Sequence, residues 1–229
     1  MCLSPEVDIV AGSVISLFAF DALRNNSNIR TLPLAALPAI FAAHTFTSAF
    51  VWWGLTGEIA EPLANFATNA YILIAFVGLP IFVPFATFLM EPASWRRIAL
   101  AFLSITGLVV GGVFLQNILA GKGSAVACDL YIDFHVGGVP FPISGLYAVV
   151  TCGAMLLSGS KPLLYWGLLN VLAIAFLSYR LSHSLPSLWC FWAACTSFFI
   201  AWFIRTTSKV QTPTKQRFQS NEGVTPLEN

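Results

Sequence analysis

Four residues in apolar surroundings carry most of the chemistry open to this chain: His44, Cys152, Asn170 and Cys195. An imidazole can relay a proton or hold a ligand, an amide can orient one, and a thiol can do either. His44 falls near the middle of "LPLAALPAIFAAHTFTSAFVWW", far from polar flanks, where a ring nitrogen needs a hydrogen-bonding partner. Asn170, Thr151 or Cys152, and Cys195 or Thr196 sit at comparable positions within their own apolar runs and could complete a polar centre. Two readings stand side by side: a core histidine satisfied by such a partner and tying helices together, or a ligand-binding or proton-transfer group. Asp21 lies three residues before Arg24, so a pair at the end of its helix explains it without a special role.

A second polar group lies in "VACDLYIDFHV", residues 126 to 136, where apolar residues alternate with Asp129, Tyr131, Asp133 and His135. A two-residue period marks a strand with one wet face. Two carboxylates and an imidazole on that face could approach a divalent cation, with Glu58 and Glu61 as further ligands, but a solvated face needs no metal. A lid with its apolar face down is the expected role, with Cys128, Leu130, Ile132 and Phe134 turned inward. The five cysteines fall at 2, 128, 152, 190 and 195 without a CxxC pair, which weakens a thiol redox reading; a Cys2–Cys128 disulfide is open in an oxidising compartment.

These groups must be held by helices in a bilayer. The chain is 57% hydrophobic with 9% charged residues, against roughly 25% charged in soluble domains. Seven runs approach the ~20 residues that cross a bilayer core: Val7–Leu23, Leu32–Leu55, Phe66–Met90, Ile98–Leu119, Ile143–Leu157, Pro162–Tyr179 and Leu185–Ile204. With the N-terminus outside, nine of the eleven Lys and Arg residues fall on the inner side, as the positive-inside rule asks, and Glu6 and Asp8 fall outside. The expected architecture is an all-α, seven-transmembrane-helix bundle, N-out and C-in, with a short outer strand or hairpin between the fourth and fifth helices. Residues 1–205 form one membrane domain and 206–229 a disordered polar tail. Gly107 and Gly111 allow close helix approach, and Pro38, Pro80 and Pro84 bend helices and free carbonyls toward the interior.

Two seven-helix chemistries fail on residues. The last helix holds no lysine for a retinal Schiff base, and only one of the three histidines lies in an apolar run, too few for an intramembrane zinc hydrolase.

The stretches "MCLSPEVDIVAG", "LPAIFAAHTFTSAFVWWGL", "LYAVVTCGAMLLSGSKPLLYWGLLN" and "LPSLWCFWAACTS" resemble an uncharacterised bacterial family of small multi-helix membrane proteins. That family opens Met-Cys-Xaa-Ser and carries a Leu-Trp-Cys-Xaa-Trp-Ala last helix. The resemblance implies a multi-pass protein of the bacterial inner membrane and supplies no activity. It also implies a glutamine after the histidine of the second helix and a glutamate a few residues on; Thr45 and Ser48 stand there, which weighs against a catalytic His44.

The expected function is binding or moving an apolar or weakly polar small molecule in a central cavity. The alternatives are an intramembrane enzyme using His44 and an assembly partner of another membrane protein. The expected partners are the lipid bilayer and that small molecule, not nucleic acid; no motif names a cofactor.

Overall fold

A computed structural model describes residues 4–128, 131–180 and 192–208. The protein is mostly helical, with one small antiparallel sheet. Helix α1 spans Pro5–Asn25 and α2 Leu32–Leu55. Ser4 caps α1, its hydroxyl accepting the Val7 N–H at 3.4 Å, and Pro5 supplies a first-turn residue whose missing N–H costs nothing there. The two helices pack closely enough that a Cβ on Gly12 would meet the Phe46 ring at 2.9 Å.

Helix α3 (Glu61–Ile72) runs through a π-helical segment, Leu73–Gly78, into α4 (Leu79–Met90), making one continuous 30-residue helix. In a π segment the N–H of residue i+5 bonds the carbonyl of residue i. The Ala75 carbonyl would therefore look to position 80, a proline without an N–H. Tyr147 replaces the missing donor, its hydroxyl reaching the Ala75 oxygen at 2.9 Å. Pro84 likewise cannot serve the carbonyl of Pro80 one turn earlier. That carbonyl faces Gly107, where a Cβ would lie 2.0 Å from the oxygen, so only glycine leaves room.

Helix α5 covers Trp95–Leu119, α6 Phe141–Leu157 and α7 Lys161–Arg180; residues 192–208 are helical and are called α8 below. Three helical stretches are long and apolar enough to cross a membrane: Leu32–Leu55, Glu61–Met90 and Trp95–Leu119. Along α5, Ile98, Phe102, Ile105 and Val109 recur at helical spacing and are all more than half exposed.

One end of the molecule is tied by three long-range contacts. The Asp21 carboxylate pairs bidentately with the Arg205 guanidinium, the Ser208 hydroxyl donates to the Asn25 carbonyl at 2.7 Å, and the buried Glu91 carboxylate accepts the Gly159 N–H at 2.9 Å. Asp21 thus finds its cation on α8, not in Arg24 one turn away. The Asp21 carboxylate raises the Arg205 pKa further above its ordinary value.

At the opposite end lies a hairpin, not a single strand. Strands β1 (Gly123–Cys128) and β2 (Tyr131–Val136) pair antiparallel from Gly123 opposite Val136 to Cys128 opposite Tyr131. Leu130 lies outside the described residues, as does Asp129. The antiparallel register decides which residues share a face. Even-numbered residues of β1 sit opposite odd-numbered residues of β2, so Val126 shares the outward face of Asp133, and Ala125 that of Phe134. Ile132 and Phe134 are buried as expected, whereas Val126 is 58% exposed and Cys128 faces Tyr131, which corrects the inward orientation expected for Cys128. The Cys128 thiol is free, and Cys2 lies outside the described residues.

The core divides into two. A larger cluster fills the bundle around Leu37, Phe41, Val83, Leu100, Met155 and Ile200. A second joins Val51, Trp52, Tyr71, Ile72 and Ile118 of the helices to Ile132 and Phe134 of the hairpin. The hairpin therefore caps the helix ends with its apolar face down.

Candidate functional sites

The four apolar-run residues do not converge. Cys152 and Asn170 line one cavity in the middle of the bundle, together with Phe41, Met155, Trp192 and Thr196. Its volume is about 30 Å³, enough for a water molecule or two and too little for an organic ligand. Its polar groups serve one another: Asn170 Oδ1 accepts from Trp192 Nε1 at 2.5 Å, and Asn170 Nδ2 donates to the Trp166 carbonyl at 2.7 Å. The Thr151 and Thr196 hydroxyls back-bond to their own helices at 2.8 Å each. Cys195 lies apart, in a surface groove walled by Phe18, Trp166, Phe199 and Trp202.

His44 stands in neither place. It is 1% exposed, its ring stacks on Tyr71 of α3 at 3.9 Å between centroids, and Tyr71 stacks on Phe134 of the hairpin at 3.7 Å. An aromatic column thus runs from the lid to the imidazole. Among the described residues no group hydrogen-bonds either ring nitrogen, and Asn170, Thr151 and Cys152 do not satisfy the imidazole.

Among the described residues Trp166 Nε1 shares that condition, and so do two side chains beside His44. Ser48 follows His44 by one turn on the same face of α2, and Asp8 of α1 meets Ser48 across the contact between the helices. Asp8 and Ser48 are both fully buried, and beyond their contact with each other neither the Asp8 oxygens nor the Ser48 hydroxyl has a hydrogen-bonding partner among the described residues. Asp8, expected at the outer end of the first helix, is buried inside the protein. An unpaired buried polar atom costs roughly 1–3 kcal/mol, and more when charged. Five such atoms on three neighbouring residues approach the ~5–15 kcal/mol that holds a whole domain together. Such a cluster calls for a chemical explanation.

A larger cavity of about 280 Å³ opens beneath the hairpin. Phe76 of the π segment, Phe114 of α5, Phe134 of β2 and Tyr147 of α6 form its walls, with His135 and Ser144 among its polar lining. Phe76 and Phe114 stack at 5.1 Å, and both lie 6.2 Å from the Tyr147 ring. The same Tyr147 that mends the π segment thereby fixes this wall. Of the expected outer polar face, His135 reaches the cavity, Asp133 stays half-buried opposite Val126, and Asp129 is not described. Glu58 accepts from Thr56 at 2.8 Å, and among the described residues no three His, Cys, Asp or Glu groups gather as metal ligands. Sequence reasoning missed the aromatic walls because they come from four separate elements.

The fold and these sites define a helical bundle, with membrane-length helices, capped at one end by a β-hairpin. Residues 1–216 match a family described as a family of unknown function (DUF6629), and the chain belongs to it. No curated protein and no solved structure matches the chain.

Proposed function

We propose that this is a multi-pass protein of the bacterial inner membrane that binds or moves an apolar or weakly polar small molecule, and that the site is the cavity beneath the hairpin. Seven spans, with the N-terminus outside, suit the exposed apolar stripe of α5 and the three helices of membrane length. The orientation is supported by Arg205 and Arg96, which meet Asp21 and the Glu91–Gly159 loop contact at the end away from the hairpin. Placing that end in the cytoplasm puts the hairpin outside.

The observation that carries the reading is the cavity of about 280 Å³ with four aromatic walls and a polar histidine and serine. Its size falls close to the ~300 Å³ at which small-molecule sites begin, and its lining is the usual one: mostly apolar, with few polar groups to orient a ligand. The bundle centre, by contrast, has room for little more than water. Solvent extraction of the purified protein followed by mass spectrometry tests the reading. One compound in near-stoichiometric amount supports it; only bulk lipid, in the proportions of the surrounding membrane, contradicts it.

A further inference from the structure

We propose that Asp8, His44 and Ser48 form a proton-binding site, in which one proton is shared between the Asp8 carboxylate and the His44 imidazole with the Ser48 hydroxyl between them as relay. The proton that leaves the carboxyl oxygen arrives on a ring nitrogen, and returns by the same path; no other bond changes.

Three observations support this. All three side chains are at least nine-tenths buried and, among the described residues, have no hydrogen-bond partner outside the trio, although their neighbour Thr45 back-bonds to the Phe41 carbonyl at 2.9 Å in the ordinary way. The residue types form an acid, a base and a hydroxyl that both donates and accepts, the set a proton needs. The geometry brings them together across one helix contact, Asp8 against Ser48 and Ser48 one turn from His44. A hard cation prefers six or more oxygen ligands, whereas this centre offers three oxygens and an imidazole. A transition metal would want a third His, Cys, Asp or Glu, and no such group stands with Asp8 and His44 among the described residues. Of the other titratable groups among the described residues, Tyr71 from α3 covers the imidazole, and Glu6 on α1 is exposed. Because Phe134 covers Tyr71 in turn, the hairpin shields the imidazole.

Nitrogen-15 NMR of histidine-labelled full-length protein in lipid nanodiscs tests the site, since the chain has only three histidines and His44→Gln identifies the signal. The expected result is a His44 ring signal that changes with pH and whose midpoint moves by about one pH unit or more in Asp8→Asn. In Ser48→Ala, the His44 ring proton should exchange with heavy water at least several-fold more slowly. A His44 signal indifferent to pH and to Asp8→Asn overturns the proposal, as does one that responds to sodium at fixed pH. Should Asp8→Asn not fold, unchanged exchange in Ser48→Ala overturns it alone.

Discussion

Tyr147 supplies the hydrogen bond that Pro80 cannot: its hydroxyl reaches the Ala75 carbonyl at 2.9 Å, in the place of the N–H that proline lacks. Helix α6 thereby holds the π segment in register and at the same time sets one wall of the cavity. Tyr147→Phe leaves the carbonyl without a donor and should cost about 1–3 kcal/mol. Thermal unfolding in detergent measures it, and the cost should shrink when Pro80→Ala is made alongside, a coupling between the two positions that independent sites would not show.

Gly107 carries a second consequence of the proline pair. Gly107→Ala should destabilise the protein by about 1–3 kcal/mol or more, since its Cβ would meet the Pro80 oxygen at 2.0 Å. Gly112→Ala, five residues on, meets nothing within 4 Å and should be neutral or slightly stabilising in the same unfolding assay.

The hairpin register gives opposite outcomes at two apolar positions. Ile132→Asp buries an unpaired carboxylate and should cost several kcal/mol, by about 2–7 kcal/mol for an unpartnered polar group. Val126→Asp, on the outward face, should be nearly neutral. Equal losses at both positions would instead fit one continuous strand.

The helices were legible in the sequence because their apolar runs are long, and the register of the hairpin was not. Alternation continues through "CDLY", so period two alone gives no sign of two paired strands, whose register puts Val126 and Cys128 on the face opposite Ile132 and Phe134. The burial of Asp8 was not legible, because an acidic residue in the first turn of a helix ordinarily answers the helix dipole at its surface. Asp21 was assigned to Arg24 because that partner is local, whereas Arg205 lies 184 residues away and reaches it only when α8 packs beside α1. His44 was singled out as unusual, but of its neighbours only Ser48 is visible in the spacing along α2; Asp8 and Tyr71 come from α1 and α3.

The Asp21–Arg205 pair is partly open, with side chains 21% and 56% exposed, so its contribution should be modest. A double-mutant cycle of Asp21→Asn and Arg205→Gln should give a coupling of about 0.2–1 kcal/mol. Arg24→Gln should show no coupling to Asp21.

The proposed N-out orientation puts the cavity, the hairpin and the buried polar centre on the outer face, and labelling from either side of the membrane tests that most directly. In a cysteine-free background, Val126→Cys on the exposed face of β1 and Thr206→Cys beyond the Asp21–Arg205 end are offered to a membrane-impermeant maleimide in intact spheroplasts. The expected result is labelling of position 126 at once and of position 206 only after the membrane is opened. Labelling of 206 in intact spheroplasts with 126 protected, or equal labelling of both, would contradict it.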